Sequence, residues 1–164
     1  MATPSIVLRQ VDDALVATAR TLFREYAATI GVDLEYQGFS AELAGLPAPY
    51  LPPHGTLFVA FVDDAVAGCA ALRRHDARSG EMKRLYVRDT YRGLGLGARL
   101  VGAIVDAART AGYAALRLDT LASMTAAQAL YRRLGFVETA PYGDAHLPGT
   151  RFYTLALTPN PRDP

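Results

Sequence analysis

The chain has 164 residues, 51% of them hydrophobic and 20% charged, with a formal net charge of +1. These values suit one domain spanning residues 1–164 and ordinary for a soluble globular protein, and they argue against a nucleic-acid binder. No apolar run reaches the roughly 20 residues of a membrane span, the N-terminal stretch lacks the features of a secretion leader, and a single cysteine excludes an internal disulfide. The expected setting is the cytoplasm, away from membranes and without a metal.

In chain order, Ser5 to Arg9 reads as a short strand. Asp12 or Asp13 can then cap a helix whose apolar positions Leu15, Ala19, Leu22, Phe23 and Tyr26 share one face, with Gly31 as its stop. Residues 32–53 are mixed, with a short helix near Ser40 to Ala44 and a proline-rich run that rules out regular structure. Gly55 to Val62 and Ala65 to Arg73 flank Asp63-Asp64 and read as a hairpin. Cys69 falls in the alternating part of that hairpin, where a small buried hydrophobe is expected.

A turn from His75 to Gly80 leads to a strand over Met82 to Val87. After Arg88 to Tyr91 comes Arg92-Gly93-Leu94-Gly95-Leu96-Gly97, which opens onto a helical pattern running to Ala111. Glycines let backbone approach a ligand closely, and the first N–H groups of a helix have no internal partner. With the positive end of the helix dipole, this layout suits a pyrophosphate. Lys83, Arg84, Arg88, Arg92 and Arg99 stand against one acid, Asp89, in this stretch, so positive charge is expected where phosphates would lie. Further strands are expected over Ala114 to Asp119, Phe136 to Thr139 and Arg151 to Leu157, with a helix over Thr125 to Leu134 and a loose tail over 158–164. Antiparallel hairpins followed by a strand–helix–strand crossover make the class α/β.

The glycine-rich unit, followed by Ala127-Gln128-Ala129-Leu130-Tyr131-Arg132-Arg133-Leu134-Gly135-Phe136, resembles the two cofactor-site motifs of the GNAT N-acetyltransferase superfamily. The resemblance implies the GNAT acyltransferase fold, a mixed and mostly antiparallel central sheet of about six to seven strands flanked by helices. It implies acetyl-CoA as cosubstrate and a primary amine of a small molecule or peptide as acceptor, acylated by direct attack, and it leaves room for a homodimer. The cofactor would lie on Arg92, Gly93, Leu94, Gly95, Leu96, Gly97, Ala98 and Ala127, and its thioester and pantetheine on the backbone of Leu85, Tyr86 and Val87. Many members carry Asn where this chain has Met124, which removes one polar cofactor contact.

By the same resemblance Tyr131 attends the leaving thiolate; read from the helix alone, it is an amphipathic-face aromatic. Glu81 starts the strand that presents the thioester, so its carboxylate can take the amine proton. Otherwise it is a solvent-facing acid paired with Lys83, and a water chain or His146 takes the proton. His54 and His75 read as solvated turn residues. Loop residues Asp33, Glu35, Tyr36, Tyr50, Tyr142, Asp144 and His146 are expected around the acceptor, favouring a cationic amine. The alternative reading is a non-catalytic acyl-CoA-binding regulatory domain. A P-loop enzyme is excluded, because no Lys-[Ser/Thr] follows the glycines.

Overall fold

The computed structural model describes residues 2–143 and 146–157, so the expected tail lies outside the described residues. Seven strands form one sheet: β1 (Ile6–Gln10), β2 (Thr56–Val62), β3 (Ala65–Arg74), β4 (Ser79–Val87), β5 (Ala115–Thr120), β6 (Val137–Thr139) and β7 (Arg151–Ala156). Their order across the sheet is β1-β2-β3-β4-β5-β7-β6, and every pair is antiparallel except β4–β5. The flanking helices are α1 (Val16–Ile30), α2 (Phe39–Gly45), α3 (Leu96–Thr110) and α4 (Thr125–Arg133). No helix among the described residues is long and apolar enough to cross a membrane.

Local chemistry sets these boundaries. Asp63 and Asp64 turn the β2–β3 hairpin with φ of 46° and 68°, the left-handed region a tight two-residue turn requires and Asp tolerates. α1 stops at Gly31, whose φ is 71°. Asp12 and Asp13 were expected to cap α1 but do not; a single turn over Asp13–Leu15 precedes the helix, and the Asp12 side chain makes no capping bond. β4 begins earlier than the apolar pattern implied. Asp76 Oδ1 accepts from the N–H groups of Arg78 and Ser79, both at 2.8 Å, which fixes the turn and lets Ser79 pair with Ala115.

The sheet is apolar on both faces. α3 and α4 cover one side, with Leu96, Leu100, Ile104 and Tyr131 packed on Leu72, Met82, Leu116 and Leu118. α1 and α2 cover the other, with Leu22, Phe23 and Phe39 packed on Leu57, Val59 and Cys69. Burying both faces is what a parallel β4–β5 step with a helical crossover demands.

β4 carries two irregularities. Its register against β3 shifts between Cys69 and Ala71, and within the resulting bulge Arg84 takes a φ of 61°. The Cys69 thiol donates to the Arg84 carbonyl at 3.3 Å inside this bulge. On its other edge β4 pairs with β5 only through Ser79, Gly80 and Glu81; from Met82 onward the two strands diverge. The edge of β4 from Met82 to Val87 is therefore open on the β5 side, at the centre of the sheet.

Candidate active site

The gap between β4 and β5 opens into two connected spaces. The larger is a groove of about 870 Å³, within the range of ordinary ligand sites. One wall is the Leu85–Val87 backbone, another is the Arg92–Ala98 turn and the start of α3, and the third is the first turn of α4 with Leu130 and Arg133. Gly93 and Gly95 have φ of 83° and 74°, and a Cβ built on either would meet nothing within 4 Å. The turn therefore presents bare backbone to open space, immediately before the unpaired N–H groups of α3. Gly97 acts differently: a Cβ there would sit 3.2 Å from Leu130 Cδ2, so its absence lets α3 approach α4.

The smaller space is a cavity of about 50 Å³. Tyr26, Ile30, Leu85, Met124 and Ala127 line both spaces, so the groove leads directly into the cavity. Past that neck polar side chains join an apolar lining. Lys83, Asp119, Gln37, Tyr36, Tyr131 and Thr150 come together from β4, β5, the α1–α2 segment, α4 and the entry to β7.

The two neighbouring cations of β4 are held very differently. Arg84 is clamped by Glu42 of α2 through Nε to Oε2 at 2.9 Å and Nη2 to Oε1 at 2.8 Å, and its Nη1 donates to Gln37 Oε1 at 2.9 Å. Among the described residues Lys83 Nζ has only long polar contacts, 3.4 Å to Gln37 Oε1 and 3.5 Å to Asp119 Oδ1, although its side chain is 6% exposed. Strict alternation would send these consecutive side chains to opposite faces. The bulge at Arg84 reverses the phase, so both reach Gln37.

Tyr131 is nearly buried, its ring centroid 5.8 Å from that of Phe136 and 6.1 Å from that of Tyr153. Burial pushes its phenol up from the ordinary tyrosine range, with smaller contributions from Tyr26 and Asp119, so it remains a protonated hydroxyl. Tyr26, at the neck, is pushed up to about 12, also by burial.

Several expectations of the sequence meet a different geometry. Glu81, the expected proton acceptor, lines neither space; it is 4% exposed and accepts from Arg73 Nε at 2.8 Å and Nη2 at 2.7 Å. It is also not the solvent-facing partner of Lys83, because the antiparallel register sets Arg73 directly across from it. Burial alone would raise the Glu81 carboxyl, but Lys83 and Arg73 outweigh it and hold it below the usual glutamate value. The basic cluster is likewise dispersed: Arg88 is paired with Glu25 at 2.6 Å, Arg92 with Asp89 at 3.0 Å, and Lys83 and Arg84 belong to the cavity.

Of the residues expected around the acceptor, Tyr36 lines the cavity and Asp144 lies outside the described residues. Asp33 instead caps the Glu35 N–H at 2.9 Å, and Glu35 holds Ser40. Tyr50 is 1% exposed in the core beneath α1 and α2. His54 and His146 are exposed, and His75 stacks edge-on with Tyr142 at 4.7 Å. Sequence reasoning missed Asp119 and Gln37 as cavity residues and Arg133 as a groove residue. Asp119 left one signal: it is the only acid on β5, on the face opposite the core residues Leu116 and Leu118.

The model of the Acetyltransferase (GNAT) family matches residues 16–136. The chain is 38% identical over 141 residues to an uncharacterised N-acetyltransferase of Schizosaccharomyces pombe, an alignment covering 85% of this chain and 86% of that one. Among solved structures, a GNAT-family acetyltransferase of Staphylococcus aureus superposes with a TM-score of 0.77 at 21% identity, covering 94% of this chain and all of that one. The yncA structure from Salmonella typhimurium, with its cofactor acetyl-CoA, superposes with a TM-score of 0.68 at 21% identity over 95% of this chain and 96% of that one.

Proposed function

Because this chain belongs to the acetyltransferase (GNAT) family, we propose that it is an acetyl-CoA-dependent N-acetyltransferase that acylates a small primary amine by direct attack. The observation that carries this reading is the passage from the backbone-lined groove to the smaller cavity, with its polar side chains, through a shared neck. The groove fits the cosubstrate: bare glycine backbone and free helix N–H groups suit a pyrophosphate, and the open edge of β4 offers main-chain donors and acceptors to an amide-bearing arm. Bound there, acetyl-CoA supplies an activated acyl thioester at the neck.

The cavity then has two tasks. It must bring an amine nitrogen, freed of one proton, to the carbonyl carbon, and it must stabilise the sulfur that leaves as the C–S bond breaks. Asp119 is the carboxylate on the cavity wall, so we assign it the first proton in place of Glu81, whose carboxylate is committed to Arg73. Tyr131 is assigned to the sulfur. A phenol raised above its ordinary value of about 10 is a weaker acid than a thiol titrating near 8.5, so full proton transfer from Tyr131 is uphill. Its role is a hydrogen bond to the developing thiolate, while the second amine proton, lost as the amide forms, ends on sulfur. The backbone of Leu85, Tyr86 and Val87 holds the thioester oxygen.

A thiol-release assay with acetyl-CoA and a panel of amines tests the reading, alongside the melting temperature in acetyl-CoA. At 100 times its dissociation constant the cosubstrate should stabilise the fold by about 2.7 kcal/mol. No thermal shift at millimolar acetyl-CoA would overturn the assignment. A shift without thiol release for any amine would favour the non-catalytic acyl-CoA-binding alternative, which the polar cavity at the end of the groove argues against.

A further inference from the structure

Lys83 is the only lysine in a chain with 17 Lys and Arg residues together, and it points its charge into the acceptor cavity. Arg84 beside it has three short bonds to Glu42 and Gln37, which leave it committed to the fold. Among the described residues Lys83 Nζ has no polar contact shorter than 3.4 Å, and its partner Asp119 stands across the same small space at 3.5 Å. A compact ammonium with three rotatable donors is the right group to re-aim toward an incoming anion, which Arg84 in its fork cannot do. A second observation points the same way. Thr150 Oγ1, on the cavity wall, is buried with no hydrogen-bond partner among the described residues. A polar occupant would give that hydroxyl a partner.

From these facts, and resting on the N-acetyltransferase reading, we infer that the acceptor is the head group of an amino acid, a zwitterion whose carboxylate binds Lys83 and whose ammonium binds Asp119. Opposite charges loosely paired in one small space match a zwitterion, whereas a simple cationic amine would leave Lys83 facing it with like charge. Size agrees. About 50 Å³ of cavity, at roughly 10–15 Å³ per water-sized group, holds about three to five such groups, against the five heavy atoms of an amino nitrogen, its Cα and a carboxylate. A zwitterion enters by replacing one loose ion pair with two closer ones, and Thr150 gains an acceptor.

The test compares free amino acids with their primary amides and their decarboxylated amines in the thiol-release assay. Loss of one charge-assisted hydrogen bond should lower kcat/KM for the amide on the order of 10- to 150-fold, and Lys83→Met should close the gap between acid and amide. Because the chain has one lysine, protein labelled with 13Cε-lysine gives a single lysine side-chain resonance. In the presence of CoA that resonance should move on titration with the preferred amino acid at a far lower concentration than its decarboxylated amine requires. This second readout needs no variant and no turnover. Amides or simple amines accepted as well as the acids would overturn the amino-acid assignment while leaving the N-acetyltransferase reading intact, and so would a resonance that no amino acid moves. Absence of any acetyl-CoA thermal shift would overturn the underlying reading instead.

Discussion

The groove and the cavity are adjoining spaces built by different means. The groove is a main-chain site: the Arg92–Gly97 turn, the first amides of α3 and the unpaired edge of β4. The cavity is a side-chain site whose polar lining is drawn from β4, β5, α4, the α1–α2 segment and the approach to β7. A main-chain site demands glycine at fixed spacing and a strand–turn–helix context, and it is indifferent to most other residues. A side-chain site depends on who meets whom across the fold. On the proposed function, holding the acyl thioester falls on the first and the choice of acceptor on the second.

The largest expected effect breaks the cavity chemically. Asp119→Asn should leave the acetyl-CoA thermal shift intact and lower kcat at neutral pH by about 10²–10⁴-fold, the usual span of a general base. Partial recovery at high pH, where more amine is already neutral, is expected; an unaltered rate would return the proton to water or His146. Next is the cavity's structural support. Glu42→Ala leaves Arg84, with a side chain 2% exposed, without its carboxylate. Breaking one partner of a buried pair is worth about 3–5 kcal/mol, so the melting temperature should fall by roughly 10 °C. A small change would mean that water reaches Arg84.

Gly95→Val attacks the groove instead. The residue must adopt a φ of 74° and would project a side chain into ligand space, so the expected result is loss of the acetyl-CoA shift of about 2.7 kcal/mol at 100 times the wild-type dissociation constant. Tyr131→Phe tests the cavity side of the neck. Its cosubstrate shift should persist while kcat falls about 10- to 100-fold, the worth of a hydrogen bond to a charged atom. Equal losses of affinity and turnover would make it a packing residue.

The smallest effect concerns Glu81 and distinguishes structure from chemistry. Its carboxyl is held below the usual glutamate value by Lys83 and Arg73 despite burial. A lowered folded value means its stabilisation is complete above the unfolded value of about 4.3 and fades as pH falls through the folded one. Wild type should therefore melt above Glu81→Gln at pH 7, and the two curves should converge in acid below about pH 4. Turnover of the variant should change little; a loss beyond about 100-fold would show that Glu81 reaches the amine after all.

This division also explains what could be read from the sequence. The element order and the glycine-rich turn before α3 were legible because hydrophobic period and glycine spacing act locally. The hairpin at Asp63-Asp64 and the stop at Gly31 are of the same kind. Lys83 and Arg84 were misplaced among the phosphate charges because closeness in sequence to the turn stood in for closeness in space. The bulge that reorients them did leave a trace: the residues of β4 packed on the α3 side are Met82, Leu85 and Val87, a step of three and then two. Gln37 and Glu42 were invisible, since nothing in the α1–α2 segment announces that it will lie across β4. Glu81 was misread because its partner depends on the β3–β4 register, which a single strand pattern does not specify.

The chain's single cysteine sits where β3 and β4 are locked by the bulge. Cys69 is 0% exposed, its thiol donates to the Arg84 carbonyl, and burial pushes it far from ready ionisation. A disulfide reagent added to count released CoA will thus register product alone while the sheet stays zipped. Any slow labelling of the polypeptide itself becomes a clock for opening at the sheet's centre, readable by mass in the same tube. Ligands that bridge the open edge of β4 should slow that clock, which would report occupancy without turnover.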